Sequence, residues 1–145
     1  MYHAEILSKY PSLNYYNDEN IIEIVLADKN ITMRKEENKH INKILFMVLC
    51  KRLDIFMQNL KIICDIFSIK PTMNLHYQHM DICFDINNNN ITCFIKYNFE
   101  VIEHIIFEAF DFSINDLTKI IYIIKEKFPE LTQRIDDLHI MYFID

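Results

Sequence analysis

A chain of 145 residues, 51% apolar and 25% charged, is sized for one domain with a buried core, not for a disordered or fibrous polymer. Its formal charge of −6 is uneven: residues 1–72 carry ten Lys/Arg against nine Asp/Glu, and residues 73–145 carry five against twelve. The acidic second half lacks the clustered cations that a phosphate backbone requires, and no apolar run nears the roughly 18 residues of a membrane helix. Neither nucleic acid nor a membrane is therefore expected as a partner.

The first element in chain order is "YHAEILSKY" (2–10), a short helix ended ahead of Pro11, because the residue before proline resists helical geometry. The start of the chain has no basic segment followed by an apolar one, so it does not read as a secretory signal; a soluble, cytoplasmic protein is expected. "YYNDEN" (15–20) is polar turn material. "IIEIVLA" (21–27) is short and β-branched, hence a strand with Ile22, Ile24 and Leu26 on one face. "ITMRKEE" (31–37) alternates Ile31, Met33 and Lys35, which suggests a more exposed strand. "KILFMVLCKR" (43–52) is apolar on both faces and reads as a central strand buried on both sides. Asp54 is placed to cap an amphipathic helix over residues 55–68, with Ile55, Phe56, Leu60, Ile63 and Phe67 near one face and Pro71 as its stop.

The chain contains no glycine, so its turns need another source of left-handed backbone. "INNNNIT" (86–92) supplies asparagine, whose short amide bonds locally and offsets part of the steric penalty. A two-residue loop at Asn88-Asn89, or a four-residue loop over Asn87–Asn90, gives the same hairpin register. Ile86 then faces Ile91, Asp85 faces Thr92, Phe84 faces Cys93, Cys83 faces Phe94, Ile82 faces Ile95 and Asp81 faces Lys96. The abundance of Ile, Asn, Lys, Phe and Tyr points to AT-rich coding DNA, which gives the missing glycines an explanation other than function.

"NFEVIEHIIFEAF" (98–110) sets Val101, Ile102, Ile105, Ile106 and Ala109 in a helical stripe. Ser113 and Asp116 resemble a capping box ahead of a helix over 114–128, which Pro129 ends. The tail is left as a last turn of helix or a strand from "HIMYFI". The sum is an α+β domain spanning 1–145. It has an antiparallel sheet of about five strands with helices packed on it, in the order α-β-β-β-α-β-β-α plus an extra C-terminal helix.

Chemistry-bearing motifs are missing. Without glycine no phosphate-cradling loop of the usual kind forms, and neither a nucleophile elbow nor HExxH occurs. His76 and His79 with Cys83 and Cys93 suggest zinc, but the hairpin register sends the two cysteines to opposite faces, so no metal site is expected. Cys50, Cys64, Cys83 and Cys93 form no CxxC pair and read as free thiols. Glu36-Glu37 and Asp136-Asp137 are adjacent carboxylates that do not face one another, so they read as solvated surface charge and not as an acid–base couple. No enzyme activity and no cofactor are expected.

The order of elements resembles the class I chaperones of bacterial type III secretion, over about residues 3–112, with 113–145 as an added helix and tail. The resemblance rests on "HAEILSKY", "IIEIVLA", "ITMRKEE", "KILFMVLC", "IFMQNLKIICDIF", "FEVIEHIIFEAF" and above all the hairpin "ICFDINNNNITCFI". It implies a homodimer that holds the N-terminal part of a secreted effector in extended form, without catalysis. The expected contacts are Ile22, Ile24, Leu26, Ile31 and Met33, on the earliest apolar strands, although each taken alone also suits the core. Two other classes stay open: a viral immunomodulatory protein that binds a host factor, and an acidic immunity protein that blocks a toxin.

Overall fold

β-Branched alternation builds the first sheet. The computed structural model describes residues 2–35 and 39–143, and the side chains of 2–35 and 43–138. After a short helix α1 (Tyr2–Leu7) come β1 (Asn14–Asn17), β2 (Ile21–Leu26) and β3 (Lys29–Arg34), an antiparallel sheet with β2 in the middle. Ile22, Ile24 and Leu26 turn one face of β2 into the core, as period-two alternation requires. Of the polar turn expected at 15–20, residues 18–20 do connect β1 to β2, but 15–17 are strand: Tyr15 pairs with Ile24 and Tyr16 with Glu23, all four β1 residues being exposed. Glu36-Glu37 and the end of the expected strand 31–37 lie outside the described residues.

The segment 43–52 is helical, not a central strand. It is the first half of α2 (Lys39–Ile66), a 28-residue helix that runs straight through Asp54. Nothing between Lys39 and Ile66 breaks a helix, since neither proline nor glycine occurs there, and Leu, Met, Lys and Arg all favour it. Asp54 therefore caps nothing; its carboxylate accepts from Ser12 Oγ and from Gln58 Nε2. The inward arc of α2 carries Leu53, Phe56, Leu60 and Ile63, all fully buried.

A second antiparallel sheet follows, in the order β4 (Asn74–Tyr77), β5 (Met80–Asn87), β6 (Asn90–Tyr97) and β7 (Glu100–Phe107). Every pair expected of the asparagine hairpin is present, from Asp81↔Lys96 to Ile86↔Ile91, around a loop of Asn88-Asn89. Asn88 takes the left-handed conformation at φ 55°. The helix expected over 98–110 is β7 followed by a single 3₁₀ turn at Glu108–Phe110. Its four β-branched residues fit the pleat as well as the helical stripe, and Tyr97-Asn98-Phe99-Glu100 closes another two-residue hairpin. The described residues thus form seven strands in two sheets, of three and four, in place of one sheet of about five.

Ser113 caps α3 (Ile114–Lys127): its hydroxyl accepts from the Asp116 N–H at 3.1 Å. After a turn at Pro129, α4 (Thr132–Phe143) closes the described chain as helix. Asp136 and Asp137 take separate partners, Lys125 at 2.7 Å and Gln133 at 2.9 Å. The two sheets are latched through the β2–β3 turn. The Asp28 carboxylate accepts from the Met73 N–H at 2.8 Å and the Thr72 hydroxyl at 2.7 Å. Burial alone would raise its pKa, but these bonds outweigh burial and leave it lowered. Lys29 adds a bond of 2.8 Å to the Phe84 carbonyl.

Phe99, at the tip of the β6–β7 hairpin, is 94% exposed and sits at φ 69°. Its ring buries nothing, while the left-handed backbone costs an L-residue about 1–2 kcal/mol. Phe99→Gly is therefore expected to stabilise the protein by about 1 kcal/mol, read as a higher urea midpoint. An unchanged or lower midpoint would refute this account of the turn.

Candidate functional site

The helix α1 places Tyr2 and His3 against the N-terminal half of α2. Ring centroids lie 4.1 Å apart for Tyr2–His3 and 4.9 Å for His3–Phe46, the latter edge-on at 78°. Beside this cluster is a cavity of about 180 Å³. Leu45, Phe46 and Leu49 form its α2 wall, and Thr32, Met33 and Arg34 its β3 wall; Asn89 reaches it from the β5–β6 loop. Leu45 and Ile63 lie about five helical turns apart and so point the same way. Yet Leu45 is half exposed and Ile63 fully buried, because the cavity and not the core stands over that end of the helix.

His3 is 4% exposed, and its Nδ1 has no hydrogen-bond partner among the described residues. Buried polar atoms are nearly always paired, so this sealed, unpaired nitrogen is an exception among the described residues. Burial, reinforced by the positive charge of Lys35, lowers the His3 pKa and keeps the imidazole neutral near pH 7.

The strand beside the cavity is an open edge. The Lys35 N–H bonds the Asn20 carbonyl, so Met33 and Ile31, of the same parity, bond toward β2. Thr32 and Arg34 therefore present backbone N–H and C=O groups away from the sheet, beside the cavity. Of the five residues expected to touch a partner, Ile22, Ile24, Leu26 and Ile31 are core residues with less than 4% exposure. They hold the sheet and offer no free surface. Met33 alone is half-buried and borders the cavity.

A larger hollow of about 480 Å³ lies between Ser12, α2 and Pro71, where Ser12, Gln58 and Asn59 already have partners. Ser12 and Gln58 bond Asp54, and Asn59 Nδ2 donates to the Phe112 carbonyl at 3.1 Å. Burial pushes the Cys50 thiol up to about 12, and those of Cys64, Cys83 and Cys93 are raised as well, which disfavours the thiolate form in each. His76 is exposed and lies 2.6 Å from Asp81. Among the described residues no three His, Cys, Asp or Glu side chains gather as metal ligands would, and no helix is long and apolar enough to cross a membrane. No family model, curated protein or solved structure matches the chain.

The folded pKa of His3 lies below the unfolded value of about 6.5, so the unfolded chain binds more protons in the interval between them. The stability that neutral His3 confers is present above that unfolded value and is lost as pH falls through the folded pKa. His3→Phe, which keeps a ring against Phe46, is expected to lose less stability than the parent between pH 7.5 and 5.5. Urea midpoints of the two proteins at both pH values measure this; equal losses would count against a buried neutral imidazole.

Proposed function

We propose that this chain is a non-catalytic binding protein that takes an extended segment of one dedicated protein partner along the open edge of β3. The observation that carries the reading is the juxtaposition of outward backbone groups at Thr32 and Arg34 with a cavity beside them. Strand addition uses that pairing: main-chain bonds supply affinity, and a pocket for one side chain supplies selectivity. The narrower reading, a class I secretion chaperone holding a secreted effector, is supported by the run α1–β1–β2–β3–α2 and the hairpin that follows. The open edge supports this reading, with Ile22, Ile24, Leu26 and Ile31 as the core positions that hold the sheet behind it.

Thr32→Pro tests this. Proline is tolerated where the strand N–H faces away from the ladder, so the fold should survive while one outward donor is lost. The parent co-expressed with its neighbouring gene product should protect an extended partner segment from limited proteolysis, and Thr32→Pro should abolish that protection. A compact, already folded partner domain with no protected stretch would instead favour an immunity protein.

We also propose a homodimer through the outer face of α2. Ile44, Val48 and Ile55 are exposed there, with Lys51 between them. The steps of four, three and four from Ile44 to Val48, Lys51 and Ile55 read the same in both directions. An antiparallel second copy would set Ile44 against the other copy's Ile55, and Val48 against the stem of the other copy's Lys51. Light scattering at micromolar concentration should give twice the monomer mass for the parent and the monomer mass for Val48→Glu. A monomeric parent would overturn this arrangement.

A further inference from the structure

We propose that the segment taken up at β3 is held along both of its edges: it inserts between β3 and the unpaired end of β5 and becomes the strand that joins the two sheets. The inference rests on the strand-addition reading and adds a second wall to it.

The second wall follows from unequal strand lengths. β4 pairs with β5 only from Tyr77↔Met80 to Asn74↔Cys83, whereas β5 runs on to Asn87. The Phe84 N–H bonds the Met73 carbonyl at 2.7 Å and so points away from β6. Period-two geometry turns the Ile86 N–H and C=O the same way. Among the described residues nothing bonds those two groups of Ile86.

β3 stands on that same side. At one end Lys29 Nζ reaches the Phe84 carbonyl at 2.8 Å and the Asp85 carboxylate at 3.2 Å. At the other end Asn89 and residues 32–34 border one cavity. Side chains alternate along a strand, so Thr32, Met33 and Arg34 border the same space along the strand's edge. β3 and β5 are nonetheless not paired, each belonging to its own sheet. A strand set between them needs two spacings of ~4.8 Å, roughly the reach of an extended lysine side chain with its hydrogen bond, and a lysine is what bridges them.

Under this slot lie Leu45, Phe46 and Leu49 of α2. The occupant is therefore a short extended segment with apolar side chains at alternate positions, directed at α2, and polar ones between them. Its N–H groups face β3 and β5 in turn. Proline is thus excluded at each successive position in the slot, where a one-sided edge would exclude it only at every second one.

The test uses short peptides with both ends blocked, in which valine and threonine alternate. The tightest binder is remade with one backbone nitrogen methylated at a time. Three consecutive positions should each lose about fivefold in affinity. Hydrogen exchange resolved to single amides should show Thr32 and Ile86 both slowed by the unmethylated peptide. Losses at alternate positions only, with Thr32 slowed and Ile86 unchanged, would overturn insertion and leave addition to β3 standing. Ile86 slowed with Thr32 unchanged would overturn both, since the segment would then pair with β5 alone. Failure of every peptide to bind would also overturn both.

Discussion

Phe56 holds the molecule together. Its ring meets Phe84 on β5 at 5.5 Å, Phe107 on β7 at 6.1 Å and Phe112 ahead of α3 at 5.6 Å. Edge-on and tilted ring pairs of this kind add to the area they bury, so one residue of α2 ties the helix to the four-stranded sheet and to the returning chain. Asn59, one turn further on, uses its buried amide on the Phe112 carbonyl. Because the second half of α2 is clamped in this way, the direction of its first half is fixed too. The cavity walls at Leu45, Phe46 and Leu49 therefore continue directly from the core.

The absence of glycine shapes the strands in a different manner. The two-residue loops at Ala27-Asp28, Gln78-His79, Asn88-Asn89 and Asn98-Phe99 each place a non-glycine residue at positive φ in their first position. None is a favourable resident except asparagine, and alanine and glutamine gain nothing from local bonding there. The turns consequently do not choose the register. Alternation does: Met80, Ile82, Phe84, Ile91, Cys93 and Ile95 are all fully buried, and a slip by one residue would turn every one of them to solvent. The penalty in the loops is tolerated because the core behind them settles the pairing.

That division explains which parts of the fold were legible. The 80–97 hairpin could be read to the residue pair, since its alternation is strict and its turn lies between two clear strands. Ile22, Ile24 and Leu26 were legible as one face for the same reason, and Ser113 as a cap from its spacing to Asp116. The segments 43–52 and 98–110 were misjudged in opposite directions. The first is apolar all round because its inner arc meets the core and its outer arc is exposed, and such a run carries no period to separate strand from helix. The second places β-branched residues where both periods are satisfied; only pairing with β6 decides it. In the site, Met33 was found through its strand, but His3 was not. A histidine in "YHAEIL" looks like any polar residue on a short helix until Phe46, distant in sequence, closes over it.

The four sheet edges of the described chain differ in how well they could pair with another strand. β1 and β4 are each four residues long, too short to template much of a strand. β7 is long and carries exposed Val101, Ile102 and Ile106, yet its register shifts opposite Ile95/Lys96 and leaves Ile102 without a partner. A bulge of this kind bends an edge and spoils regular pairing, which is how sheets protect themselves from unwanted strands. β3 has six residues paired to β2 without a shift. A cavity lined in part by His3 lies beside it. The β3 edge therefore keeps its outward N–H and C=O groups in regular order, which the bulged edge of β7 does not.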